Sequence, residues 1–181
     1  MANRTMFVSA AAACATAIGI MPAPSASASV VDIGESEYQI AFEKTGAKMT
    51  PWSGSTERTA IRVWPDDRAG MEWAVSRIGV NLGHTTYEIR NLRSDLCLQP
   101  MYGVTESGRR IEQAPCDERR TQRWHVEHVG GPAFQIIPLN NTYLAITPES
   151  PTATKSFLKL DYRNPIDPDY RWDFRPTIQP V

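Results

Sequence analysis

The feature that most constrains this chain is a period. Three segments open on an aromatic-x-Ile triplet: Tyr38-Gln39-Ile40, Tyr87-Glu88-Ile89 and Phe134-Gln135-Ile136. Three short alternating runs each begin with tryptophan: Trp73-Ala74-Val75, Trp124-His125-Val126 and Trp172-Asp173-Phe174. The openings fall 49 and 47 residues apart and the closing tryptophans 51 and 48. Two independent markers that keep nearly one spacing imply three copies of one supersecondary unit. Proline, glycine and short apolar alternations recur between them with almost no helical periodicity, so the expected class is all-β. A unit of this size, made of several short strands, cannot bury its apolar face alone. Three must pack around a shared axis into a closed, barrel-like core. Trp73, Trp124 and Trp172 are then expected to be structural, each burying on the order of 200 Å².

The N-terminus reads differently. Arg4 precedes an apolar, alanine-rich stretch from Met6 to Met21 and a Pro- and Ser-rich segment ending Ala26-Ser27-Ala28, the three-part grammar of a secretory signal peptide. The apolar run breaks at Pro22, short of the roughly 20 residues a spanning helix needs, and no later segment could cross a bilayer. Residues 1–28 are therefore expected to be a cleaved leader, with Cys14 a passenger in it. Residues 29–181 would be one secreted domain with repeats at about 36–80, 85–131 and 132–177.

Without the leader, 18 basic residues face 20 acidic ones, a balance that gives no electrostatic case for a nucleic-acid or anionic-membrane partner. Only Cys97 and Cys116 remain. In an oxidising compartment such a pair is expected to be a disulfide, and its spacing is far too wide for a CxxC redox motif. His125 and His128 stand far from any acidic cage, so no structural zinc is expected, nor any other metal or cofactor.

The middle repeat runs from Tyr87-Glu88-Ile89 through Ser94-Asp95-Leu96-Cys97-Leu98 and Gln113-Ala114-Pro115-Cys116 to Gln122-Arg123-Trp124. With the Gly108 turn between its cysteines and its Gln-x-Trp ending, it resembles one repeat of the ricin B-type lectin family. The first and third repeats share only the aromatic openings and the tryptophans, with Met71 and Tyr170 where the signature glutamine would be. The resemblance implies a β-trefoil with one shallow sugar pocket possible per repeat. An aspartate after Cys-Leu would accept hydrogen bonds from sugar hydroxyls, an aromatic ring would stack on the pyranose, and amides would orient it.

Residue by residue, that pattern is worn. In the middle repeat the aspartate position holds Gln99, the aromatic position Ala114 and the first amide position Thr121, while Gln122 is retained. Tyr102, in the following loop, is either a substitute ring or a cover for the loop. In the first repeat Ile61-Arg62-Val63-Trp64-Pro65-Asp66 aligns with the ring-bearing strand, which makes Trp64 the leading stacking candidate. Trp52 would be a second wall, Thr50 replaces the aspartate, and Lys48 and Asp66 fall near the two cysteine positions. In the third repeat Tyr143-Leu144-Ala145 is aligned with Cys-Leu-Asp, leaving Ala145 at the acid position. The stretch from Phe157 to Tyr162 fits two registers one residue apart, so nothing is assigned there.

No nucleophile with its base, paired carboxylates or phosphate loop stands out. His125 and Glu127 share one strand face, expected to be solvated. Asp161 to Asp169, interrupted by Pro165 and Pro168, reads as a rigid turn and not a calcium loop. The expected function is carbohydrate binding without catalysis, with a glycan or polysaccharide as partner. The alternative is a trefoil that has lost its sugar sites and recognises an exported or host protein, as a toxin delivery subunit or a protease inhibitor. An enzyme with an unfamiliar site is the third class.

Overall fold

Each repeat spells out four strands. A computed structural model describes residues 33–177, so the expected leader lies outside the described residues. The first repeat gives β1 (Ser36–Phe42), β2 (Lys48–Pro51), β3 (Thr59–Trp64) and β4 (Glu72–Asn81). The second gives β5 (His84–Asn91), β6 (Cys97–Pro100), β7 (Ile111–Ala114) and β8 (Arg123–Gly130). The third gives β9 (Ala133–Pro138), β10 (Leu144–Pro148), β11 (Ser156–Tyr162) and β12 (Trp172–Pro176). Between them lie turns and single 3₁₀ turns, and no helix among the described residues is long and apolar enough to cross a membrane.

The outer strands of the repeats close a ring. β1 pairs with β4, β4 with β5, β5 with β8, β8 with β9, β9 with β12, and β12 returns to β1, all antiparallel. The inner strands form one hairpin per repeat: β2–β3, β6–β7 and β10–β11. These hairpins meet around the axis, β3 touching both β7 and β11, while Arg110 bridges to Lys159. Six barrel strands capped by three hairpins make a β-trefoil, the fold the repeats imply, and closure leaves the barrel no edge to aggregate through.

The tryptophans show why the period exists. Trp73, Trp124 and Trp172 are each 0% exposed. Each donates its indole N–H to a carbonyl on the first strand of its own hairpin: Met49 at 3.1 Å, Leu98 at 3.1 Å and Ile146 at 3.0 Å. The same side chain therefore fills the barrel and ties the hairpin to it, with no buried donor left unpaired. The triplet residues Ile40, Ile89 and Ile136 are buried around it, with Tyr38, Tyr87 and Phe134 two residues before them.

These carbonyls also fix the repeat register, and they correct the third repeat. Ile146 is the counterpart of Leu98, so Thr147 and not Ala145 occupies the acid position. From the aromatic opening to the acid position the separation is 12 residues in the first two repeats and 13 in the third, because the turn around Asn140 is longer. Ile146 pairs with Leu160 as Leu98 pairs with Gln113, which settles the register of β11 and puts Asp161 at the ring position.

Two of the hairpins are closed by a cross-link at the same place. Cys97 and Cys116 form a disulfide with Cα atoms 5.0 Å apart, spanning 19 residues. In the first repeat Lys48 pairs with Asp67, not the expected Asp66, across the same separation of 19. An ion pair thus stands where the middle repeat has a covalent bond. In the third repeat Ala145 stands opposite Asp161 without either device.

Candidate functional site

A trefoil hairpin presents one face outward, and period-two alternation decides which residues share it. On that face the acid position of each repeat stands opposite a charged residue: Thr50 opposite Arg62, Gln99 opposite Glu112, Thr147 opposite Lys159. Two residues further along comes the ring position. Trp64 lies opposite Lys48 as Ala114 lies opposite Cys97.

In the first repeat, β3 carries Arg62 and Trp64, and the 3₁₀ turn after β2 carries Trp52. They meet Lys155, Ser156 and Phe157 of the third repeat around a cavity of about 320 Å³. Trp52 is 45% exposed, and its ring stacks on Phe157 with centroids 5.0 Å apart and planes inclined 23°. The Arg62 guanidinium carbon lies 4.2 Å from the ring centre of Trp52 and 3.9 Å from that of Trp64. Arg68 lies 3.8 Å from the Trp64 ring centre and the Lys155 ammonium 4.3 Å from it. Two guanidinium groups so near one ring centre would overlap on a single face, so they hold the indole between them. Trp64 is thus clad in cations and not a bare stacking platform. Arg62 is only 7% exposed, and burial pushes its guanidinium below the ordinary arginine range, with the positive Arg68 acting in the same direction. Thr50 is fully buried under the hairpin, its hydroxyl turned to the Pro51 carbonyl at 3.4 Å, and it does not line the cavity.

The middle repeat has taken another course. The Gln122 amide donates to the Gln99 side-chain carbonyl at 3.0 Å and to the Pro115 carbonyl at 2.7 Å, and its own oxygen accepts from the Asp117 N–H at 2.9 Å. Gln99 donates to Glu112 at 2.8 Å. Glu112 also accepts from Arg58 at 3.0 and 2.5 Å and from the Tyr102 N–H at 2.9 Å. Burial works to raise the Glu112 pKa, but the hydrogen bonds from Arg58, Gln99 and Tyr102 and the Arg58 charge outweigh it, holding the carboxyl below its ordinary range. The repeat therefore has a carboxylate on the strand opposite Gln99, where it holds Arg58. Tyr102 projects 70% exposed beside it, with Arg58 5.5 Å from its ring centre.

That arrangement has a pH signature. A carboxyl whose folded pKa is depressed stabilises the fold above its unfolded value and loses that contribution as pH falls through the folded one. Glu112→Gln should cost about 1 to 2 kcal/mol at pH 7. The gap between wild-type and variant melting temperatures should shrink as pH drops below about 4.3, the ordinary glutamate value. A gap that stays constant from neutral to acid pH would show that the Glu112 charge contributes nothing.

In the third repeat the Thr147 hydroxyl donates to the Asp169 carbonyl at 2.6 Å, and Lys159 pairs with Asp161 at 2.6 Å. Burial works to raise the Asp161 pKa, yet hydrogen bonds from Lys159, Ser107 and the Tyr162 N–H, with the Lys159 charge, hold it low. These groups too are engaged internally.

A larger cavity, about 530 Å³, lies where β4–β5 meets the third repeat, lined by Leu82, His84, His125, Glu127, Tyr143 and Arg163 among others. The expectation of a solvated His125 is corrected here. It is buried, its Nδ1 lies 3.1 Å from the Thr85 carbonyl, and its ring packs 5.4 Å from that of His84, because the long β4–β5 hairpin covers this face. Glu127 is paired with Arg163 at 2.6 Å. Of possible metal donors, Glu88, Cys97 and Cys116 lie close together among the described residues, but both sulfurs are in the disulfide and offer no thiolate.

Sequence reasoning named Trp52 and Trp64 but missed Arg62, Arg68, Lys155 and Phe157 around them, and Arg58 and Glu112 in the middle repeat. Arg62 and Glu112 carried a legible signal, each standing two residues before the ring position and so on its face. Lys155 and Phe157 arrive from another repeat, and nothing local marks them.

Residues 72–155 match the family model described as ricin-type beta-trefoil lectin domain-like. No curated protein matches the chain. Solved structures are similar in fold. The designed threefold-symmetric protein ThreeFoil superposes with a TM-score of 0.66 at 15% identity, over 78% of this chain and 99% of that one. The ricin B-like lectin of Macrolepiota procera, solved with lactose, gives 0.66 at 15% identity over 81% and 99%. A mosquitocidal holotoxin gives 0.69 at 18% identity over 81% of this chain, which spans only 18% of the toxin. The described chain is thus a β-trefoil whose residues 72–155 form a ricin-type lectin-like segment, resembling the ricin B-type lectins.

Proposed function

We propose that this chain is an exported, non-catalytic carbohydrate-binding protein that works through the first-repeat cavity. The observation that supports this reading best is the convergence of Trp52, Trp64 and Phe157 on one open recess beside the hairpin, at the place where the resemblance puts a sugar. The exposed part of Trp52 suits apolar contact with a pyranose, and polar groups at the rim suit its hydroxyls. Export rests on the leader-like residues 1–28.

Affinity electrophoresis through polysaccharide gels, followed by tryptophan fluorescence titration, tests it. Trp52→Ala should weaken binding about tenfold or more, since one stacking platform contributes on the order of 1 kcal/mol beyond its buried area. Its melting temperature should change little, because Trp52 sits at the surface. No retardation by any polysaccharide, or a Trp52→Ala protein that binds as the wild type does, would sink the reading.

One observation favours a second reading: the middle-repeat amides Gln99 and Gln122 are committed to internal bonds. A trefoil with spent sugar pockets can serve protein recognition, as a toxin delivery subunit or a protease inhibitor. Co-purification with one exported protein from culture fluid, with no glycan retained, would decide for it.

A further inference from the structure

Two cations, Arg62 and Lys155, line the first-repeat cavity, and a third, Arg68, lies on the Trp64 ring. Among the described residues no ion pair ties Arg62, Arg68 or Lys155 to a carboxylate, which is also true of Arg77, Arg93, Arg120 and Arg123, but these three alone gather around one aromatic ring. The Nε atoms of Arg62 and Arg68 and the indole nitrogen of Trp64 are buried without a hydrogen-bond partner. Three unpaired buried donors gathered in one place are costly to the fold. Arg62 is more than nine-tenths buried and lines the recess itself. The overall charge of the chain is nearly balanced, so this cluster is a local choice and not the overflow of a basic protein.

Each neighbour narrows the ligand. Aromatic walls alone would suit a neutral sugar, and cations alone a bare anion. Here guanidinium and ammonium groups at 3.8 to 4.3 Å lie directly on the rings that line the recess. A ligand that fits both must offer an apolar ring face and a negative group within the same few ångströms. Arginine recognises carboxylate and sulfate through paired hydrogen bonds, a geometry lysine reinforces as a point charge. We propose that the first-repeat cavity binds an acidic saccharide, one whose sugar ring bears a carboxylate or a sulfate, with Arg62 and Lys155 as the anion-recognising residues. The inference rests on the carbohydrate-binding reading and specifies its ligand.

Titrations of the full secreted chain, by tryptophan fluorescence and calorimetry, test it with matched pairs: trigalacturonate against its methyl ester, and 3′-sulfated lactose against lactose. Inorganic sulfate is the third arm. At low ionic strength at least one acidic member should bind about tenfold or more tighter than its neutral twin. That preference should shrink as salt is raised. Lys155 is exposed, so Lys155→Gln should fold normally, checked by melting, and its ratio of acidic to neutral affinity should fall toward one. Equal binding of both members of each pair, or a preference untouched in Lys155→Gln, overturns the acidic ligand and leaves the carbohydrate reading standing. Sulfate binding as tightly as sulfated lactose overturns the saccharide component, and no saccharide binding at all overturns both.

Discussion

Trp124→Ala is expected to lower the unfolding free energy by about 3 to 5 kcal/mol, the cost of emptying a fully buried indole site. For a domain of this size that is roughly a 10 to 15 °C fall in melting temperature. Two costs combine. The cavity sits at the centre of the six-stranded ring, where neighbouring strands cannot collapse without breaking their pairings, and the Leu98 carbonyl loses its indole donor. Trp124→Phe separates them: it keeps most of the apolar contact and forfeits the hydrogen bond, for a smaller loss of about 1 to 2 kcal/mol beyond the missing volume. Because Trp73 and Trp172 have the same burial and the same bond, their alanine variants should match Trp124→Ala to within about 1 kcal/mol. Differential scanning calorimetry decides the matter, and a Trp124→Ala transition indistinguishable from wild type would contradict the central role of the indoles.

Removing the disulfide should come next in size. Replacing Cys97 and Cys116 together with alanine should cost about 3 kcal/mol, the loop-closure entropy for a span of this length on the chain-entropy model. The middle hairpin has only four residues per strand, Cys97–Pro100 and Ile111–Ala114, and besides the disulfide its ends are held by the Gln122 bonds to the Pro115 carbonyl and the Asp117 N–H. Chemical denaturation with and without reductant measures the effect. A midpoint unmoved by reduction would mean that the Gln99, Glu112 and Gln122 network already fixes the hairpin. The first repeat holds the same place with Lys48 and Asp67, a pair whose acid is largely exposed, so its removal should matter far less.

The architecture was legible because it is written three times. A single Tyr-x-Ile or a single tryptophan says little, but markers recurring at one spacing require copies of a unit, and copies of a short-stranded unit require a shared core. The first-repeat ring position was readable for the same reason, since Trp64 followed the template strand residue for residue. Local counting failed where loop lengths differ. One extra residue near Asn140 displaced the third hairpin from its assumed alignment and brought Thr147 where Ala145 was expected. It also fails across repeats: Lys155 and Phe157 reach the first-repeat cavity through the contact of β11 with β3, a long-range pairing that no window of sequence contains. His125 looked solvent-facing from its alternation, which is true of an isolated strand but not of one overhung by a hairpin. Glu112 was not legible because the resemblance puts the acid at position 99, whereas the carboxylate stands on the opposite strand.

The pairing of β1 with β12 has a consequence for how this fold can be rearranged. Tyr38 stands opposite Pro176, and the Thr177 N–H donates to the Glu37 carbonyl at 3.0 Å, so the first and last described strands meet at a seam. A loop with a seam can be cut elsewhere and sewn there. A short linker from Thr177 to Ile33, with new ends opened at the Gly130-Gly131 turn, would yield a permuted molecule in which every strand keeps its neighbours. Cargo attached at those new ends would emerge from a different side of the barrel.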